Sequence, residues 1–248
     1  MVILGLEWVN ERHAGWRLTK VELLTDLFYV GLGYTVIRYT RKHWGDAPVE
    51  AAKHAFGIHT PWLEHAPFLL QVGMIASIGS ISGYWMHRAM HNWTPLWLTH
   101  APHHYVTQLN ALKGAVGNPI ELFLIGLGID GLFDFSLPAL FCAGTMMGAV
   151  STFAHANVRF DPPRWYSFFF TTVEHHSLHH SVDYASTRCN YADSLILIDR
   201  IFGTFRTGES AVVGQENGRR LSIGEQFIYP FVPLIAMIKA RRGVAIIN

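Results

Sequence analysis

Charge is what this sequence has least of. Lys, Arg, Asp and Glu make up 15% of its 248 residues, against about 25% in an ordinary soluble domain, and half the residues are hydrophobic. The net charge is +1 with histidine neutral. No basic field exists, and nucleic acid is excluded as an electrostatic partner. Cysteine is nearly missing: Cys142 and Cys189 lack the spacing of a thiolate metal site or redox motif and offer at most one disulfide. Met1–Leu6 is too short, and lacks the basic start, for a signal peptide; entry into a membrane is expected through internal spans. Strand alternation, internal repeats, linkers and low-complexity tracts are absent, as are haem, flavin and nicotinamide fingerprints.

What is present is long uncharged runs. Pro67 to Trp85 carries no charge and approaches the roughly 20 residues that a bilayer core requires. Phe135 to Ala154 is a second such run. Pro119 to Phe133 is apolar but holds Glu121 and Asp130. With the run after it, this segment predicts a helical hairpin turning near Asp134–Pro138, because proline does not fit a helix interior. Leu27 to Ile37 is a shorter apolar piece behind Glu22 and Asp26. Phe227 to Ile238 is too short to cross and is expected to lie in the interface. The expectation is an all-α fold, a multi-pass integral membrane helical bundle forming one domain over residues 1–248.

Fifteen histidines stand beside only 18 acidic residues, and three groups of them have metal-ligand spacing. His87 and His91 form HxxxH, one helical turn apart on one face. His100, His103 and His104 form HxxHH. His175, His176, His179 and His180 contain a second HxxHH from His176. On a helix each residue rotates about 100°, so an HxxHH trio fans out widely enough to serve two neighbouring ions. Pro102 is expected to kink or restart the helix under the second group. His155 falls where the hairpin returns, within reach of the same site. The hairpin crosses twice, so all these groups face one compartment as a histidine-rich cap. Arg88, Lys113, Arg159 and Arg164 on that side predict the cytoplasmic face, although Arg38–Lys53 puts four basic residues opposite. His13, His43, His54, His59 and His65 lack such spacing and read as surface residues.

A structural zinc takes four ligands, whereas nine or ten imidazoles fill most positions around two ions. Imidazole suits iron, zinc, copper and nickel alike, so ligand type leaves the metal open. Soluble di-iron bundles use Glu-x-x-His, which this chain lacks. Asn157, Asp183 and Asp199 are candidates to accept a histidine N–H and fix its tautomer; each suits a turn or cap equally well.

The ordered pattern HRAMH (87–91), HAPHH (100–104), HAN (155–157) and HHSLHH (175–180), followed by Asn190-Tyr191 and DRIFGT (199–204), resembles the sterol desaturase and fatty acid hydroxylase superfamily. The resemblance covers about residues 83–206. The doubled His175-His176 and the NY…DR-FGT tail are most similar to the branch of alkylglycerol monooxygenase and its bacterial relatives. It implies an oxygen-dependent enzyme with two iron ions on the cytosolic face, replaceable by zinc in purified material. Dioxygen is the co-substrate, a separate protein donates electrons, and a membrane lipid is hydroxylated or desaturated at a C–H bond. Carried over by position, the ligands are His87, His91, His100, His103, His104, His155, His176, His179 and His180, with His175 as an additional histidine. Three departures stand out. Arg159 takes a position where some relatives have a further histidine, Val116 stands where an arginine is usual, and little precedes the first apolar piece. A membrane metal transporter and a structural zinc protein are the rival readings; transporters place ionisable ligands at mid-bilayer, whereas these lie beyond span ends. Gly126-Leu-Gly128-Ile-Asp-Gly131 spells GxGxxG without a preceding strand and is not a nucleotide site. Gly79–Gly83 and Gly144–Gly148 are GxxxG pairs expected to pack helices closely.

Overall fold

The computed structural model describes residues 2–127, 129–215 and 218–241. Among them no strand forms, only two isolated bridges, Glu11–Val158 and Ser181–Val213. After α1 (Val2–Val9), α2 (Lys20–Leu32) starts at Thr19, whose hydroxyl accepts from the Glu22 amide. The helix does not stop at Leu32. A π-helical turn (Gly33–Ile37), α3 (Arg38–Thr40), a second π-helical turn (Arg41–Gly45) and α4 (Asp46–Ala55) follow with right-handed helical backbone at each junction. The short apolar piece seen in the sequence is thus part of one rod from Lys20 to Ala55, about 50 Å at 1.5 Å per residue.

α5 (Phe68–Asn92) and α8 (Leu137–His155) hold 25 and 19 residues and are long and apolar enough to cross a membrane. Only 33% and 22% of their most apolar stretches are buried. A core helix of a soluble domain hides its apolar stripe; these turn most of theirs outward. The two run in the same direction. Near their starts the Ser136 amide donates to Gln71 Oε1 at 2.9 Å, and their ends carry His87, His91 and His155. Between them come α6 (Thr94–His104) and α7 (Pro119–Ile125). α6 continues unbroken through Pro102 to His104, so the expected restart does not occur.

The expected first limb of the hairpin is not one membrane-length helix. α7 is seven residues long, and after it the chain tightens into a 3-10 turn, Ile129–Leu132. Glycine costs about 1 kcal/mol in a helix interior, and Gly126 ends α7 with the Arg41 side chain lying where a Cβ would stand. The turn itself lies where expected. Asp134 is held there by Lys53 and by the Thr60 amide at 2.8 Å, which places the Lys53 end of the rod beside the starts of α5 and α8. The other end of the rod reaches the histidines: Lys113 is buried between Glu22 and Asp26. Of the GxxxG glycines only Gly79 meets a neighbour, Met147 of α8; Gly83, Gly144 and Gly148 face open space. Gly128 of the GxGxxG lies outside the described residues.

The remaining helices are short: α9 (Arg164–Phe169), α10 (Val173–His179), α11 (Leu197–Ile201), α12 (Ile223–Ile228) and α13 (Val232–Arg241). They and the loops between them cap the end at which α5 and α8 finish.

Candidate metal centre

α5 supplies His87 and His91, α6 supplies His100, His103 and His104, and α8 ends on His155. α10 supplies His176 and His179, with His180 as its C-terminal cap. Nine imidazoles meet at this end of the bundle, each 9% exposed or less. They divide into two groups. One holds His87, His91, His100, His104 and His179; the other holds His103, His155, His176 and His180. Helical rotation explains the division. In each HxxHH the first and last residues, four apart, lie about 40° apart and share a face, and the middle one points about 60° from the first and 100° from the last. α6 gives its pair to the first group and His103 to the second. α10 does the reverse, giving His176 and His180 to the second group and His179 to the first.

Within each group the Nε2 atoms converge. His87, His91 and His104 Nε2 lie 3.0, 3.1 and 3.0 Å from His100 Nε2. His179 Nε2 lies 3.1 Å from that of His87. In the second group His176 Nε2 is 2.9 Å from His155 Nε2 and 3.1 Å from His180 Nε2. Two imidazole nitrogens bound about 2.1 Å from one ion at right angles lie about 3.0 Å apart, and at a tetrahedral angle about 3.4 Å. The spacing fits a centre with more than four positions.

The tautomers agree. The Nδ1–H of His87 donates to the Tyr191 carbonyl at 2.7 Å and that of His179 to the Cys189 carbonyl at 2.7 Å. A carbonyl only accepts, so in the neutral rings two Nε2 lone pairs face each other at 3.1 Å. Burial pushes the His179 imidazole well below its ordinary pKa and that of His103 down to about 3. His103 donates from Nδ1 to the Val116 carbonyl at 2.7 Å and His155 to that of Ser151 at 2.8 Å. Four other rings, His91, His104, His176 and His180, bury Nδ1 without any partner while presenting Nε2 to their group. An unpaired buried N–H costs about 1–3 kcal/mol. Facing lone pairs and forfeited hydrogen bonds fit a cation at each focus.

Residues 72–204, more than half of the chain, match the family described as "Fatty acid hydroxylase". The chain belongs to that family. Ornithine lipid hydroxylase OlsE of Rhizobium tropici is 30% identical over 165 residues, covering 64% of this chain and 49% of the relative. Alkylglycerol monooxygenase of Homo sapiens is 26% identical over 157 residues, covering 62% of this chain and 33% of the relative. Its counterpart from Xenopus tropicalis is 27% identical over 132 residues, 49% of this chain and 27% of the relative. The chain thus spans half or less of the length of these relatives. No solved structure matches it.

Beyond the histidines this fatty acid hydroxylase homologue departs from expectation. His175 joins neither group: its ring packs edge-on against Phe205 at 5.2 Å, with Nδ1 3.2 Å from the Thr172 hydroxyl. None of Asn157, Asp183 and Asp199 has a hydrogen bond to a histidine ring of either group. Asn157 holds the N-terminal segment, accepting from the His13 amide at 2.9 Å and donating to the His13 carbonyl. Asp183 closes its own turn through Ser186 and the Ala185 amide. Asp199 acts at one remove. It accepts from the Tyr191 and Ala192 amides and the Thr204 hydroxyl, fixing the peptide whose carbonyl holds His87. Asn190, in the left-handed region at φ 52°, accepts from the Arg206 amide and donates to the His175 carbonyl. The NY…DR-FGT tail therefore builds the loop that carries both the Cys189 and the Tyr191 carbonyls. His13 lies beside Glu209 and His54 beside Glu50, far in contact terms from either group.

One partner escaped the sequence reading. Glu121 Oε1 accepts from His100 Nδ1 at 2.5 Å, while its Oε2 accepts from the Asn118 amide in a capping box. The signal was Asn118-x-x-Glu121 at the start of α7. Glu121 accepts with both oxygens, whereas glutamine has one acceptor oxygen and can keep the Asn118 cap or the bond from His100 but not both. Glu121→Gln is expected to weaken metal binding by about 10–100-fold without loss of helicity, read by competition against a chelator. Unchanged affinity would show that His100 does not need the carboxylate.

Proposed function

We propose that this chain is a multi-pass membrane enzyme whose nine grouped histidines hold two iron ions, and which uses dioxygen and electrons from a separate donor protein to hydroxylate or desaturate a C–H bond of a membrane lipid. The observation that carries the reading is the convergence of nine buried Nε2 atoms on two adjoining foci at one end of outward-facing apolar helices. The names of the relatives, a lipid hydroxylase and alkylglycerol monooxygenases, support the lipid and the reaction class.

His87, His91, His100, His104 and His179 would hold one ion, and His103, His155, His176 and His180 the other. Bound there, iron supplies the redox chemistry that activation of dioxygen requires. The chain's own work is to hold the rings, exclude water and position the lipid. Nδ1–H donors on carbonyls and on Glu121 fix the rings, and burial keeps bulk water out. The four-histidine group has one imidazole fewer, which leaves room for exogenous ligands on that side. A cleft lined by Phe153, Ala156, Tyr166 and Val173, the second of them next to His155 in the chain, opens outward and would give a path for an alkyl chain. Hydroxylation consumes one C–H, one dioxygen, two electrons and two protons, and gives an alcohol and water. Those electrons would come from a separate donor protein, as the resemblance implies.

Protein purified in detergent without chelators is expected to contain two ions per chain and to take up oxygen only with a reductant and lipid. A reproducible single ion, or zinc-loaded protein that stays inert after iron reconstitution, would sink the proposal.

The two apolar helices end at the same face, which we assign to the cytoplasm. Single cysteines at Asn92 and Asp183, both exposed, in a background without Cys142 and Cys189, should label from one side with an impermeant thiol reagent. A cysteine at Ser136, at the far end, should label only from the other. Asn157 is unsuited to this test, being 2% exposed. Labelling of Asn92 and Asp183 from opposite sides would contradict a shared site.

A further inference from the structure

We propose that the groove between the helical rod and the segment that follows Lys113 is a second lipid site, seating one zwitterionic aminolipid that is not the reacting substrate. The rod turns one continuous face toward this groove. Its upper part runs from Tyr29 to Arg41 against Ala115 and Leu122, with a volume of about 330 Å³. Its lower part runs from Arg41 to Glu50 against Gly126 and Gly131, with a volume of about 310 Å³. Arg41 lines both, so the two parts adjoin at its side chain.

The chemistry changes in order along the groove. The upper part is walled by Val30, Ile37 and Leu122, the middle by Arg38 and Arg41, and the lower part by Asp46 and Glu50. Among the described residues the Arg38 and Arg41 side chains form no ion pair or hydrogen bond. They stand about midway between Asp26, at the histidine end, and Lys53, at the other. Under the proposed membrane placement this sets Arg38 and Arg41 within the bilayer and not beyond its far side as the sequence suggested, and an arginine without a partner there is costly and marks a site. Independently, both π-helical turns of the rod, Gly33–Ile37 and Arg41–Gly45, fall on the groove, and such turns concentrate at functional positions. Apolar wall, cations, then carboxylates is the complement of an acyl chain, a phosphate and a primary ammonium, in that sequence.

The occupant stands apart from the ions. Ala115 faces the groove, while Gly114 packs on the His155 ring and the Val116 carbonyl accepts from His103. One thickness of backbone therefore separates the lipid from the four-histidine group, close enough to support that backbone but not to present a C–H to it. This rests on the membrane reading above and not on the oxygen chemistry. Extraction of the chain by detergent but not by alkali tests the former alone.

The experiment uses the full chain in non-ionic detergent with an equimolar mixture of phosphatidylethanolamine, phosphatidylcholine and phosphatidylglycerol of identical acyl chains, read by native mass spectrometry. Phosphatidylethanolamine should be retained at least about 5-fold over the other two, the worth of one well-placed charge pair. Arg38→Gln with Arg41→Gln should cut its retention by about tenfold or more, with helicity and metal content unchanged. Asp46→Asn with Glu50→Gln should keep phosphatidylglycerol and lose the preference for the amine. Equal retention of the three lipids, a preference for phosphatidylglycerol, or full retention by the double arginine variant would each overturn the proposal.

Discussion

His176→Ala is expected to abolish turnover and to lower metal content, whereas His175→Ala, one residue away, should leave both nearly intact. The two side chains diverge by about 100° on α10. His176 points into the four-histidine group, with Nε2 2.9 Å from that of His155 and 3.1 Å from that of His180. Losing it removes one ligand of four from an ion that has no spare imidazole. Outer partners of metal ligands alone are worth about 10–100-fold in affinity or activity, so loss of a ligand should exceed about 100-fold. His175 faces Phe205 and Thr172 instead, and its removal should cost about 1–2 kcal/mol of stability and little else. Elemental analysis and oxygen uptake on both variants read the difference. If His175→Ala were as damaged as His176→Ala, the ring would have to move into the group on metal binding, and the five-and-four division would be wrong.

That contrast also shows where the sequence stops being legible. The grouping of the histidines follows from spacing, because rotation along a helix belongs to the sequence: residues four apart share a face and residues one apart do not. The phase of the helix does not follow. Which of His175 and His176 turns inward is set by where α10 begins, at Thr172, whose hydroxyl accepts from the His175 amide. The carbonyls that hold His87, His103, His155 and His179 have no side-chain signature at all. Asp199, read from the sequence as a candidate acceptor for a histidine N–H, reaches His87 through a peptide and not by touching the ring. Glu121 read as an unwelcome charge in an apolar limb because its partner lies 21 residues earlier on another helix.

The fold divides in the same way. α5 and α8 were plain from their uncharged runs, since nothing but length and apolarity is needed to specify them. The rod was hidden by its own charges. Arg38, Arg41 and Lys42 break the apolar run that begins at Leu27, yet the backbone stays helical through them and through Pro48, which falls in the first turn of α4, until Gly57 turns into the left-handed region. The limb after Asn118 has the opposite fault. It is apolar enough to suggest a full helix, but Gly126 and the Arg41 side chain that crosses it end the helix after seven residues.

Metal-free protein should unfold on mild acidification, while loaded protein should not. Burial holds His103 down to about 3 and pushes His100, His104, His176, His179 and His180 well below the ordinary histidine value of about 6.5. These rings are neutral when folded and take up protons when unfolded. Their contribution is therefore intact above pH 6.5 or so and is lost as pH falls below it. Each unmatched ring costs about 1.4 kcal/mol per pH unit. Glu7 and Asp199, whose carboxyls burial raises, work the other way by binding protons in the folded state. The lowered rings outnumber the raised carboxyls, so the net slope is several-fold that of one ring. A total stability of about 5–15 kcal/mol would then be spent within one to three units below pH 6.5. Circular dichroism and tryptophan fluorescence of chelated protein in detergent should show a steep transition in that interval. Bound ions occupy the same lone pairs that protons need, so the loaded form should hold to lower pH and release metal with a strong proton dependence. Chelated protein that stayed folded from pH 7 to about pH 3.5 would mean that the rings are not buried neutral, and the lone-pair argument for the cation sites would lose its footing.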